Sequence, residues 1–253
     1  MTEILQTSIP YDPLTPVRLP GIKPLPLQDW LAGDEAFSAQ MAERDRLLEA
    51  ARERVLYCSD QAEVAAQELL DHVLAARYAA VPEVRAVTRP DGARVEIERS
   101  DPMGTLARLV QQDLCILERP ADAEEHILTA AALCFPASWT LAQKAGKPLL
   151  AIHVPVSSYD AGLAARVQRL FDGVQPERPL WRFNALWYAD PSLHQPRTED
   201  DPRPTSTPDT QNYLRSELQS LYRLPHSRAV VFSIHTRVLR RADVLAQWGT
   251  AEA

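Results

Sequence analysis

The distribution of apolar and polar positions divides the chain into a helical first third and a strand-rich remainder. From Glu35 to Val55 the apolar residues Phe37, Met41, Leu48, Ala51 and Val55 recur at the spacing of one helix face, which predicts a helix there. The following "SDQAE" offers Asp60 as an N-cap with Glu63 three residues on, and predicts a second helix running to about Tyr78. After "VPEVRAVTRPDGAR", in which Asp91-Gly92 marks a turn, the period shortens. The runs "RVEIER", "DLCILER", "HILTAAALCF", "PLLAIHVPV", "WRFNALWYA" and "AVVFSIHTRVL" read as six strands. Helical patterns lie near Asp160 to Phe171 and Tyr213 to Tyr222. Strands and helices do not alternate strictly, so the expected fold class is α+β, a mostly antiparallel sheet with helices on one face.

Two segments lack either period. Six prolines, at positions 10, 13, 16, 20, 24 and 26, predict an extended Pro-rich arm over residues 1–30, ahead of a single domain spanning 31–253. The stretch "HQPRTEDDPRPTSTPDTQ", His194 to Gln211, is Pro, Asp and Thr rich and reads as a long surface loop.

Composition narrows the class of partner. The formal charge is -7 with acidic and basic residues mixed along the chain, so no basic face offers itself to nucleic acid. The first residues form no signal peptide, and the longest apolar stretch, Ile127 to Ala142, is interrupted by Pro136, Ser138 and Thr140 and falls short of the ~20 residues of a membrane span. A cytoplasmic protein without membrane partners is expected. Cys58, Cys115 and Cys134 form no Cys-x-x-Cys pair and read as buried, reduced thiols.

Motifs exclude more than they assign. The chain has no G-x-G-x-x-G, no G-x-x-x-x-G-K-[ST], no H-E-x-x-H and no G-x-S-x-G, which removes support for dinucleotide binding, P-loop chemistry and the common zinc and serine hydrolases. Of six histidines, His72, His126, His194 and His226 fall in polar or loop settings and read as solvent-facing. His235 alternates with Val231, Ser233 and Arg237 on a semi-polar strand face. His153 alternates with Leu149, Ala151 and Pro155, an apolar face carrying one nitrogen base. Spacing alone leaves His153 open as a hydrogen-bonded core residue or a ligand to iron.

Read together, "LVQQDLCILER" (109–119), "LCFPASWTLAQKAGKPLLAIHVPV" (133–156), "RPLWRFNALW" (178–187) and "YLRSELQSLYRLPHSRAVVFSIHT" (213–236) resemble the haem-dependent oxidative N-demethylase family, as do "GIKPLPLQDWL" and the helix after it. The resemblance implies a PAS-like antiparallel sheet with flanking helices and an N-terminal helical segment, holding haem b. It implies a monooxygenase-type oxidative N-demethylation that uses dioxygen on a small methylated amine and releases formaldehyde. His153 lies at the position matching the family's haem-site strand, and is expected as the axial iron ligand. Where the family tends to carry Pro-Gly-Tyr-Asn, this chain has Ser157-Ser158-Tyr159-Asp160, with Tyr159 a further expected haem contact.

Two further sets suit such a site. In "WRFN", alternation sets Trp181 and Phe183 against Arg182 and Asn184, so one face can stack on a flat ring while the other offers donors to a haem propionate or dioxygen; an amphipathic core strand is the plain alternative. Arg215, Glu217 and Gln219 match the family's R-x-E-x-Q pattern, which implies a carboxylate near the iron holding an ammonium substrate. Gln219 is then a cofactor contact, and Glu217 and Arg215 are catalytic. The plain alternative is a solvated helix face. With no dinucleotide loop and too few cysteines for a ferredoxin-type cluster, the electrons are expected from an external flavin and iron-sulfur reductase. A haem-binding PAS-like sensor without turnover is the alternative function.

Overall fold

The computed structural model describes residues 3–15, 21–153, 161–201 and 207–249. Its elements are, in order, β1 (Lys23–Pro24), α1 (Phe37–Ala50), α2 (Arg52–Val55), β2 (Leu56–Cys58), α3 (Glu63–Tyr78), β3 (Ala86–Thr88), β4 (Arg94–Glu96) and α4 (Pro102–Leu109). There follow β5 (Asp113–Glu118), β6 (Ile127–Ala132), α5 (Leu149–His153), α6 (Ala161–Gly173), β7 (Leu180–Tyr188), β8 (Tyr213–Arg223), β9 (Val230–Arg240) and α7 (Arg241–Trp248). The strands build a seven-stranded sheet in the order β1-β7-β8-β9-β5-β6-β2, with every described pairing antiparallel. The α+β class and the antiparallel sheet agree with the sequence pattern. The Asp91-Gly92 turn joins β3 to β4, with Gly92 at φ +86°, a conformation that L side chains rarely adopt.

Helices cover both faces of the sheet. Leu114, Ile116, Val231 and Tyr222 pack against Leu69, Leu70, Val73 and Leu106 of α3 and α4 on one face. Their alternating neighbours Cys115, Leu117, Leu221 and Ile234 pack against Leu149 of α5 and Phe171 of α6 on the other. Each fully buried leucine in these layers contributes about 1.5–3 kcal/mol through apolar burial. The expectation of helices on one face is therefore corrected: a strand covered on both sides carries apolar residues at odd and even positions alike, and its pattern does not report how many layers cover it.

Two elements differ in type from the expectation. "PLLAIHVPV" forms the short helix α5 as far as His153, and Tyr213 to Tyr222 lies in strand β8. In β8 the polar residues fall at 215, 217 and 219 and also at 216 and 220, which mimics a helical repeat. Pairing with β7 and β9 along its length decides the strand. The expected helix from Asp60 begins as a single 3-10 turn over Asp60–Ala62 before α3, without a side-chain cap.

The described part of the Pro-rich arm is attached to the sheet and irregular, with a 3-10 turn over Leu27–Asp29 ahead of the buried Trp30. Ile9 and Tyr11 are buried against the outer end of β8 and β9, and Pro24 sits in the edge strand β1, where a missing N–H is tolerated. At the same end of the sheet, Arg44 of α1 forms a fully buried ion pair with Asp113 at 2.6 Å. The Asp113 carboxylate also accepts the backbone N–H groups of Cys134 (2.8 Å) and Phe135 (2.9 Å), which fixes the loop after β6.

Candidate functional site

Register across β7, β8 and β9 gathers the sequence-predicted polar residues. Arg182 is the cross-strand partner of Gln219, and Asn184 of Glu217; Gln219 in turn faces Ile234, Glu217 faces Thr236 and Arg215 faces Val238. Directly paired residues share a face, so Arg182, Asn184, Arg215, Glu217, Gln219 and Thr236 all lie on one side of the sheet. It is the side on which Leu221 and Ile234 meet α5 and α6.

Glu217 is the centre of this group and is buried. Its Oε2 accepts hydrogen bonds from Asn184 Nδ2 and Gln219 Nε2, each at 3.2 Å, while its backbone N–H donates to Asn184 Oδ1 at 3.3 Å. Asn184 thus clamps Glu217 across the strand pair. Oε1 stands 3.6 Å from Arg215 Nε, an ion pair beyond hydrogen-bond length. That leaves one carboxylate oxygen with spare acceptor capacity.

Arg215, expected as a catalytic residue, is tied to the surrounding loops. Its Nη2 donates to the Phe135 carbonyl at 2.7 Å and its Nη1 to the Leu193 carbonyl at 2.9 Å, so it staples the loops after β6 and β7 to β8. Next to it, His194 Nδ1 meets the Cys134 carbonyl at 2.8 Å, which orients that ring as the N–H donor.

Three buried polar atoms on this face have no hydrogen-bond partner among the described residues: Arg182 Nε, Arg215 Nε and Thr236 Oγ1. Buried polar atoms are ordinarily satisfied, so such a group around one carboxylate makes this face the candidate site. Burial pulls the Arg182 pKa down, with the Glu217 charge opposing it, as expected of a guanidinium that lacks a close anion. Thr236 was missed from sequence. It follows His235 in "SIHT", and its relation to Glu217 becomes visible only once β8 is a strand.

The other expected site residues fall elsewhere. Trp181 occupies the opposite face, where its ring lies 5.5 Å from Tyr11 and 5.9 Å from Lys23 Nζ, and Phe183 stacks on Tyr11 at 4.6 Å. Strand parity sets Trp181 on the face opposite Glu217, as the alternation in "WRFN" has it, and there the ring packs on the N-terminal arm. His153 closes α5, and its side chain lies outside the described residues, as does Tyr159. His235 is buried on the opposite face, between Gln112 and Asp34, at 2.9 Å from each.

Three histidines expected in solvent are not there. His194 is half-buried on the Cys134 carbonyl. His126 is buried, bonded through Nδ1 to Gln168 at 2.9 Å, and His72 is half-buried beside Trp30 and Tyr222. Burial lowers the pKa of both. Cys115 and Cys134 are buried as expected, with burial pushing the Cys134 thiol up to about 12, but Cys58 is exposed.

The structure thus gives an antiparallel α+β sheet with a buried, donor-ringed carboxylate and unpartnered polar atoms on one face, the candidate site of this class of protein. The comparison with known families names the class more closely: the profile described as "Haem-dependent oxidative N-demethylase, alpha subunit-like" matches residues 21–252, and the chain belongs to that family. The family's name ties its members to haem and to oxidative N-demethylation. No helix among the described residues is long and apolar enough to cross a membrane.

Proposed function

We propose that this protein holds haem b on the polar face of β7–β9, with His153 as axial ligand, and oxidatively demethylates a small methylated amine with release of formaldehyde. The observation that carries this reading is the set of unpartnered buried atoms around Glu217. In support of this reading, the Arg182 guanidinium offers charge and an unused donor to a propionate, beside the apolar layer that α5 and α6 form with the sheet. Bound haem supplies the oxidising chemistry, with dioxygen as oxidant and electrons from outside the chain.

The protein's own residues supply recognition. Glu217 presents an oxygen to the substrate ammonium, Asn184 and Gln219 hold the carboxylate in place, and Arg215 holds the loops around it. The sheet serves as a PAS-like scaffold. A separate flavin and iron-sulfur reductase delivers the electrons, in keeping with the words "alpha subunit" in the family's description.

The test is absorption spectroscopy of the haem-reconstituted protein, oxidised and dithionite-reduced. The wild type is expected to show a Soret band that shifts on reduction, and His153→Ala to lose it or shift it strongly. A His153→Ala spectrum identical to the wild type overturns the ligand assignment.

A further inference from the structure

Helix α5 has only five residues, too few to be stable by itself, and outside groups hold both of its ends. At its start, the Leu150 N–H donates to Glu125 Oε2 at 2.7 Å and the Leu149 N–H to the His126 carbonyl at 3.0 Å. At its end, Lys144 Nζ donates to the Ile152 carbonyl at 2.7 Å, one residue before His153. An anion at the N-terminus and a cation at the C-terminus both complement the helix dipole.

Lys144 is itself anchored. Its side chain is 6% exposed and pairs with Glu199 Oε1 at 2.9 Å, and the preceding residue, Gln143, accepts the Glu199 backbone N–H at 3.2 Å. The ammonium therefore joins three pieces of chain: the turn at Leu141–Gln143, the last turn of α5, and the loop beyond His194. A buried lysine loses much side-chain entropy and solvation, which only specific partners offset. The Glu199 hydrogen bond from Lys144 holds that carboxyl below the usual range, as expected of a formed ion pair.

We propose that Lys144 is the positioning residue of the iron-ligand turn, fixing the backbone at Ile152 and His153 and latching it through Glu199 to the loop beside Arg215. The inference rests on the reading of His153 as the axial ligand. Groups that orient a metal ligand without touching the metal typically change metal affinity 10–100-fold when removed.

The experiment compares Lys144→Met, Lys144→Arg, Glu199→Gln and His153→Ala in the full chain, by haem titration, low-temperature electron paramagnetic resonance of the ferric protein, and thermal melting. Lys144→Met is expected to bind haem about tenfold more weakly and to give a mixed or shifted ferric signal. Lys144→Arg, which keeps donors for both partners, is expected to restore a single wild-type-like species. Glu199→Gln should shift the signal in the direction of Lys144→Met, by less. If His153→Ala leaves the haem spectrum unchanged, the ligand reading falls and the latch with it. If His153→Ala loses the spectrum while Lys144→Met keeps wild-type affinity and signal, the latch alone is overturned. Should Lys144→Met fail to fold, Glu199→Gln decides: a wild-type signal overturns the latch, and a shifted one supports it.

Discussion

Glu217 shows how a single residue is prepared for a charged ligand without being consumed by its neighbours. Oε2 is held by two amide donors, and Oε1 has only the Arg215 Nε at 3.6 Å. In Glu217→Gln the side-chain oxygen would turn toward Asn184 Nδ2 and Gln219 Nε2, and the new amide would present N–H groups where an ammonium must bind. Haem uptake should be unchanged, because the shape is kept. Titration with a methylated amine should need about 10–100-fold more amine for the same spectral shift, the equivalent of a lost hydrogen bond to a charged group worth about 1.5–3 kcal/mol. Unchanged amine titrations would reduce Glu217 to a structural residue.

At the scale of elements, β8 decides how much of the site the sequence reveals. The residues Arg215, Glu217 and Gln219, and separately Arg182 and Asn184, were legible as candidate sets, and β7 was legible as a strand. That they belong to one cluster was not legible, because β8 is covered on both faces and its polar residues fall at both parities. Thr236 was hidden for the same reason, and α5 because Leu149, Ile152 and the residues around them suit a buried strand or a short buried helix equally well. The same strand carries a test of Arg215. Arg215→Met would leave the Phe135 and Leu193 carbonyls without their donor and the buried Glu217 without its cation. Urea denaturation should show a loss on the order of 3 kcal/mol, as for breaking a buried ion pair from one side. A loss under about 1 kcal/mol, the worth of an exposed pair, would mean that the two loops are held by other contacts.

Across the whole molecule, the face opposite the site is held together by one polar network that reaches from the N-terminal arm to the sheet. Asp34, just before α1, accepts from His235 Nε2 (2.9 Å), Gln111 Nε2 (2.7 Å) and Gln6 Nε2 (3.1 Å), and forms an ion pair with Arg237, whose Nε lies 3.2 Å away. Gln6 also exchanges hydrogen bonds with the Val238 backbone. Burial alone would raise the Asp34 carboxyl, but the hydrogen bonds from His235 and Gln111, with the charge of Arg237, hold it well below the usual range. Burial, with Arg237 and Arg44 nearby, keeps the His235 pKa below its ordinary 6.5. The unfolded chain binds a proton at His235 near pH 6.5 and the folded protein only at lower pH, so the stability this residue supplies is fully present above pH 6.5 and is lost as pH falls toward the folded value. Asp34 stays ionised throughout that window and adds no slope of its own. One such proton corresponds to about 1.4 kcal/mol per pH unit. His72 and His126, also lowered by burial, add slope of the same sign. Unfolding free energy measured between pH 6.5 and 5.5 should therefore fall on acidification, and His235→Gln should flatten that fall by up to about 1.4 kcal/mol per pH unit while leaving the shares of His72 and His126. An equal slope in both proteins would mean that His235 takes up its proton without unfolding, and that the arm is held to the sheet by Gln6 and Val238 irrespective of the charge beneath them.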